Sequence, residues 1–75
     1  MAKFTFEITE KIGVLGTSPI TGMTKELNKV SWNNRPAKYD LRDWDEDHEK
    51  MSKGITMTED EIKNLKQLLN SVDIG

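Results

Sequence analysis

Several residue types that support common functions are absent from this sequence or scarce in it. It has no cysteine, two prolines and one histidine, which excludes disulfides and thiolate metal sites. No apolar run approaches the length of a transmembrane helix. The first ten residues alternate apolar and polar side chains, unlike a signal peptide. We therefore expect a cytoplasmic protein without a membrane segment.

Seventy-five residues predict one small domain over residues 1–75 with a single core. A chain of this size buries only about 60–65% of the surface that its unfolded form exposes, so its stability is marginal. Without disulfides or a structural metal, dimerisation is the common remaining means of stabilisation. The length therefore favours a homodimer.

The net charge is −2, whereas nucleic-acid-binding domains are usually basic overall. The distribution matters more than the sum, because six of the 13 acidic residues lie between Asp40 and Glu49. Exposed charges act over roughly 8–10 Å at physiological salt, so a local basic surface is compatible with an acidic total. Net charge alone does not exclude a nucleic-acid partner.

Hydrophobic alternation predicts four strands. The first covers residues 3–10, the second is a short apolar run over 11–16, the third covers 23–32 and the fourth covers 37–44. In the third strand Leu27 and Val30 have opposite parity, which leaves open whether a bulge intervenes or one of them is exposed. Pro36 and the two asparagines before it predict a turn between the last two strands.

The fourth predicted strand divides into two sets of alternate positions. One set is Ala37, Tyr39 and Leu41, and the other is Lys38, Asp40, Arg42 and Trp44. The apolar set is expected to meet the core. The second set would then give a solvent-exposed face of cations and an indole.

A helix is predicted over residues 59–72. Thr58 and Glu61 have the spacing of a capping box, and acidic residues in the first turn complement the helix dipole. Apolar residues at helical spacing form a broad stripe: Ile62, Leu65, Leu68, Leu69 and Val72. The expected fold class is α+β, a four-stranded antiparallel sheet followed by one C-terminal helix (ββββα), with the helix stripe serving both the sheet and a second copy.

Metal and catalytic sites are not expected. Asp43, Asp45 and Asp47 alternate as in an EF-hand, but His48 stands at the position of the required glycine and Gly54 at that of the bidentate glutamate. No P-loop, zinc-ligand set or activated nucleophile is present. His48 lies in a polar loop and is expected to be exposed. We predict a protein that is not an enzyme and has no cofactor.

A set of basic and aromatic residues fits single-stranded nucleic acid better, since such sites need cations for phosphates and rings for base stacking. The cations are Lys25, Lys29, Arg35, Lys38, Arg42, Lys50 and Lys53, and the rings are Trp32 and Trp44. Gly54 would let the backbone approach a phosphate. The alternative is that Arg42 and Lys38 pair with Asp40 on a solvated face while Trp44 caps the core.

The segments "YDLRDW" and "KMSKGITMTEDEIKNLKQLL" resemble the single-stranded-DNA-binding domain of the transcriptional coactivator called positive cofactor four. The likeness extends over residues 23–69 and is greatest to short bacterial members, which share "KELN-VSWN" and "DHEKM-KGIT" segments. The resemblance implies a curved four-stranded sheet and a helix-mediated homodimer whose channels hold single strands with little sequence preference.

Positions carried over from the family place Arg42 and Trp44 in the matching strand and Lys50 and Lys53 in the loop before Gly54. Trp32 matches an aromatic of the preceding strand, and Arg35 and Lys38 lie near a basic turn. The predicted function is sequence-independent binding of single-stranded DNA, or of RNA, in transcription or in DNA replication and repair. The rival hypothesis is a protein-interaction module that docks a transcription or replication component.

Overall fold

The structure is a computed structural model that describes residues 5–74. Its elements follow in the order β1 (Phe6–Thr17), β2 (Thr24–Trp32), β3 (Lys38–Trp44), β4 (Ile55–Met57) and α1 (Glu59–Ser71). The strands form one antiparallel sheet in sequential order. The predicted order of four strands and one C-terminal helix is therefore confirmed, although two of the strands lie elsewhere than predicted.

The two strands predicted over residues 3–10 and 11–16 form a single strand, β1, which begins at Phe6. Of the residues predicted before it, Lys3 and Phe4 lie outside the described residues and Thr5 precedes the strand. β1 has 12 residues and pairs with the nine residues of β2. The difference of three is taken up by irregularities at Thr9, Ile12 and Leu15, where the register shifts. Each such bulge bends a strand and increases its twist, so β1 curls instead of ending at its glycines.

The fourth strand of the structure, β4, falls in a segment without a strand pattern. It has only three residues, too few for alternation to be recognised. Its partners are Tyr39, Asp40 and Leu41 of β3. The strands predicted over residues 23–32 and 37–44 correspond to β2 and β3, which pair without interruption, so the ambiguity at Leu27 and Val30 is not caused by a bulge.

Both faces of the sheet are used, which explains why Leu27 and Val30 have opposite parity. On the face toward the helix, Leu27 and Tyr39 lie beside α1. The opposite face, here called the inner face, carries the buried residues Glu26, Asn28, Val30, Asp40 and Trp44. The curl of β1 closes the inner face, because Phe6 contacts both Trp32 and Trp44, with ring centroids 5.9 and 5.3 Å apart.

The helix begins as its sequence predicts. The Thr58 hydroxyl accepts a hydrogen bond from the Glu61 amide at 3.2 Å, and the Glu61 carboxylate accepts one from the Thr58 amide at 2.8 Å. α1 packs against β3 and β4, yet none of its residues 59–71 is buried. The helix therefore leaves much of its apolar stripe uncovered within one chain.

Candidate nucleic-acid interface

The inner face is built around an ion pair between Asp40 and Arg42, which are neighbours on the same side of β3. Arg42 Nε and Nη2 donate to the two carboxylate oxygens of Asp40 at 2.5 and 2.7 Å. The Asp40 carboxylate is fully buried and also accepts a hydrogen bond from the Thr56 hydroxyl at 3.1 Å. The side chain of Arg42 is only 13% exposed. The pairing considered from the sequence is present, but it is buried rather than solvated.

Arg42 also connects β3 to the segment that precedes β4. Its Nη1 donates to the Ser52 carbonyl at 3.5 Å and lies 3.3 Å from the Met51 sulfur. Its guanidinium carbon lies 4.6 Å from the centroid of the Trp32 ring. All three nitrogens of the guanidinium group therefore have partners within the chain, whereas the sequence predicts that this group binds phosphate.

Gly54 has a structural reason to be glycine. A Cβ built at this position would overlap the Cβ of Arg42 and the carbonyl oxygen of Leu41. The backbone of residue 54 thus packs directly on β3. The close approach expected between Gly54 and a ligand is instead an approach between two parts of the chain.

The two tryptophans occupy different environments. Trp44 is completely buried and packs between Phe6 and His48, whose ring lies 5.7 Å away. In this conformation Trp44 has no free ring face, contrary to the exposed indole expected from parity. The reason is the curl of β1 and of the loop after β3, which cover the inner face. Trp32 is half-buried and retains exposed surface.

His48 was expected to be exposed, but it is half-buried and bound to Glu26. Its Nε2 lies 3.0 Å from both carboxylate oxygens of Glu26, so it donates to an acceptor-only group. Glu26 also accepts from Thr24 Oγ1 at 2.5 Å and from Asn28 Nδ2 at 3.1 Å. His48 has a left-handed backbone, with φ of 57°, and its ring links the loop of residues 45–50, here called the acidic loop, to the sheet.

The acidic loop is ordered by its own backbone. Asp45 Oδ1 accepts hydrogen bonds from the amides of Glu49 at 2.8 Å and Lys50 at 3.0 Å. The bond from Lys50, ahead of that from Glu49, lowers the pKa of Asp45. Within residues 5–74, no group of three or more His, Asp or Glu side chains is placed to hold a metal ion.

Part of the basic set is brought together at one cleft. Lys25, Arg42, Lys53 and Gly54 line a space of about 330 Å³ between β3 and the segment before β4. Lys25 lies at its rim in a 3.0 Å ion pair with Asp43, and its side chain remains 55% exposed. Lys53 is exposed. This group is here called the β3 cleft.

The other predicted cations lie outside the β3 cleft. Lys29 lies over the ring of Tyr39, 5.1 Å from its centroid. Arg35 and Lys38 are exposed near Trp32, since the Arg35 amide donates to the Trp32 carbonyl at 3.0 Å and Lys38 is the register partner of Val30. Lys50 is exposed in the acidic loop. The described surface therefore carries basic side chains at both ends of β3.

The predicted dimer residues form an open apolar surface. Ile62 and Leu65 are half-buried and line a cleft of about 460 Å³ with Leu27, Tyr39 and Leu69. Leu68, Leu69 and Val72 are 62%, 51% and 56% exposed. No helix formed by the described residues has the length and apolar character needed to cross a bilayer.

Sequence reasoning missed Glu26, Asn28, Asp40 and His48 as members of one buried polar face. A signal was present, because Glu26, Asn28 and Val30 alternate on β2 and Asp40 and Arg42 alternate on β3. Charged residues in a half-buried strand usually face solvent, and the charged set on β3 is therefore expected to do so. Only the three-dimensional course of β1 and of the acidic loop shows that this face is covered.

An open antiparallel sheet with one C-terminal helix, exposed lysines and a half-buried indole presents the cations and ring that single-stranded nucleic-acid sites use. The family model for Transcriptional Coactivator p15 (PC4) matches residues 20–68, and the protein belongs to this family. The predicted resemblance is therefore confirmed. The family is non-enzymatic and binds single-stranded DNA.

The chain is also similar to a protein of Treponema pallidum (strain Nichols) named "Uncharacterized protein". The two are 48% identical over 71 residues, which span 95% of this chain and 82% of the relative. The likeness thus includes β1, which lies before the segment matched by the family model.

Gly54→Ala tests the contact between residue 54 and β3. The added methyl must displace backbone or the stem of Arg42, and overpacking of this kind costs about 1–3 kcal/mol. We expect the free energy of unfolding, measured in urea, to fall by this amount. Gly16→Ala is the matched control, because a Cβ there has no atom within 4 Å. Equal effects of the two substitutions would contradict the assigned packing role.

Glu26→Gln tests the cluster around His48. Burial of the Glu26 carboxyl opposes its ionisation, but hydrogen bonds from Thr24, Asn28 and His48 outweigh burial and lower its pKa below 4.5. A lowered pKa stabilises the fold above the unfolded-state pKa, and this stabilisation is lost as the pH falls through the folded-state pKa. The difference in unfolding free energy between wild type and Glu26→Gln should therefore shrink as the pH falls from about 5 to 3.

Urea unfolding at several pH values in that range measures this difference. Glu46→Gln is the control, since Glu46 is exposed in the same loop, and its difference from wild type should stay nearly constant. A pH-independent difference for Glu26→Gln would show that the cluster does not stabilise the ionised carboxylate.

Proposed function

We propose that this protein binds single-stranded DNA as a homodimer, largely without sequence preference, in transcription or in DNA replication and repair. The observation that carries the proposal is the family match over residues 20–68. This segment contains β2, β3, β4 and every basic and aromatic residue of the predicted interface. The binding surface is therefore sought on these elements rather than on β1.

Phosphate binding is assigned to the exposed lysines. Lys38, Lys50 and Lys53 have exposed side chains, and Lys53 shares the β3 cleft with Lys25. Arg35 extends the basic surface beside Trp32, whereas Lys29 lies over Tyr39 on the face toward α1. Flexible ammonium groups at such positions can follow a phosphate backbone without fixing its sequence.

Base stacking is assigned to Trp32. Both indoles are predicted to stack on bases, but Trp44 is buried whereas Trp32 keeps exposed surface. The stacking role is therefore proposed for Trp32 alone. Trp44 is instead buried in the inner face, where it packs between Phe6 and His48. Arg42 contacts the Trp32 ring and also lines the β3 cleft, so the stacking surface and the phosphate-binding cleft adjoin.

Dimerisation is assigned to α1 and the cleft beside it. An exposed leucine or valine is common on protein surfaces, but Leu68, Leu69 and Val72 are all exposed on or directly after one helix, and Leu69 lines the 460 Å³ cleft together with Ile62 and Leu65. A continuous apolar surface of this kind is typical of an interaction site. A second α1 has the complementary chemistry, because it presents the same stripe.

The first experiment is a titration of intrinsic tryptophan fluorescence with oligo-dT at several salt concentrations. We expect saturable quenching whose affinity falls with salt, because phosphate binding releases counterions. Lys53→Ala should weaken binding and make the slope of log K against log salt shallower by roughly 0.7, the value for one phosphate of a single strand. Lys11→Ala is the control, since Lys11 is exposed on β1, outside the proposed binding surface.

Absence of salt-dependent binding by the wild-type protein would contradict the proposed function and favour a protein-interaction module. Competition between oligo-dT and oligo-U of equal length separates DNA from RNA as the preferred ligand. Tighter binding of oligo-U would replace DNA by RNA in the proposal.

Leu69→Lys tests the proposed dimer. Burying a leucine side chain stabilises by about 1.5–3 kcal/mol, and a symmetric dimer loses two, so the dissociation constant should rise by about 100-fold or more. Sedimentation equilibrium measures this change. Gln67→Lys adds the same charge to the opposite side of α1 and should leave the dimer intact. A monomeric wild-type protein at micromolar concentration would contradict the proposal.

A further inference from the structure

The Asp40–Arg42 pair and the Trp32 ring form a continuous stack across the inner face. Arg42 donates through Nε and Nη2 to Asp40 and through Nη1 to the Ser52 carbonyl. Its guanidinium carbon lies 4.6 Å from the Trp32 ring centroid. Trp32 also contacts Phe6 of β1 at 5.9 Å. Side chains from β1, β2 and β3 thus meet at one indole.

Arg42 is poorly placed to bind a phosphate. A phosphate oxygen would have to compete with Asp40, which is fully buried and accepts a hydrogen bond from Thr56 as well. Removing Arg42 from this carboxylate would leave a buried charge without its partner, and such a charge is strongly destabilising. Separating the pair on ligand binding would therefore have a large energetic cost.

The guanidinium group fixes the indole instead. A planar cation over an indole is held by attraction to the electron-rich face of the ring, and the bidentate bond to Asp40 sets the orientation of that plane. Trp32 ends β2 directly before Asn33 and Asn34, both of which have left-handed backbones with φ of 51° and 63°.

We infer that Asp40 and Arg42 are positioning residues for nucleic-acid binding: Asp40 orients the Arg42 guanidinium, which holds Trp32 as a rigid surface for base stacking. This inference rests on the proposed function. It departs from the role that the family resemblance implied for Arg42, because the charge of Arg42 is neutralised internally. The ligand's phosphates are then neutralised by the exposed lysines and Arg35, and Arg42 contributes nothing to the salt dependence of binding.

The salt dependence of oligo-dT binding separates the two roles. The double variant D40N/R42Q removes both charges and replaces them with amide groups that can hydrogen-bond to each other. We expect its affinity to fall by about 10-fold, within the range that stacking of one base contributes, while the slope of log K against log salt is unchanged. A slope shallower by roughly 0.7 would mean that a phosphate contact was lost and would overturn the inference.

Arg42→Lys provides a second variant that keeps the charge next to Asp40 and is expected to fold. It loses the planar fork and the stacking surface, so its affinity should also fall by about 10-fold. A phosphate contact would survive this substitution, since an ammonium group binds phosphate as a point charge. Affinity within about twofold of wild type would therefore overturn the inference.

A double-mutant cycle with Trp32→Leu shows whether Arg42 acts through the indole. In the Trp32→Leu background, Arg42→Lys should cause no further loss, because the group that it positions is gone. Additive losses would refute positioning while leaving the proposed function intact. Absence of salt-dependent binding by the wild-type protein would refute the proposed function itself.

Acrylamide quenching of tryptophan fluorescence in the free protein tests directly whether Arg42 covers the Trp32 ring. Arg42→Lys should increase the quenching of Trp32, because its ring loses the group that covers one face, while the buried Trp44 provides a constant background. Unchanged quenching would show that Arg42 does not hold the ring, whatever the protein binds.

Discussion

The buried ion pair between Asp40 and Arg42 is the interaction on which the other contacts of the inner face depend. Through its carboxylate, β3 is joined to Thr56 of β4, and through its guanidinium it is joined to Ser52 and to Trp32 of β2. A buried pair of this kind stabilises only when its remaining hydrogen-bonding capacity is used. Here the neighbouring elements provide those bonds, so the pair specifies how they are placed.

The inner face is a polar core in a chain too small for a large apolar one. Glu26 is satisfied by Thr24, Asn28 and His48, and Asp40 is satisfied by Arg42 and Thr56. Aromatic rings from Phe6, Trp32 and Trp44 fill the space between these groups. Apolar residues that would form a core in a larger domain lie instead on α1, where they remain open to a partner.

The sequence alone predicts α1, because the capping box and the apolar stripe are local features. It predicts β2 and β3 because their alternation extends over many residues. It also divided β3 correctly into two faces. Alternation cannot tell which face is covered, and the curl of β1 that covers Trp44 depends on pairing between two strands. For the same reason the roles of Gly54 and Arg42 were invisible, since each is decided by a neighbour distant in sequence.

The three bulges of β1 have a consequence for the behaviour of the protein in concentrated solution. β1 is an edge strand, and Ile12, Val14 and Leu15 expose apolar side chains on it. A long, flat, apolar edge would recruit strands from other molecules and favour aggregation. Extra residues at Thr9, Ile12 and Leu15 interrupt the regular spacing of amide and carbonyl groups that an incoming strand requires. The irregularity that curls β1 over the inner face therefore also protects its outer edge.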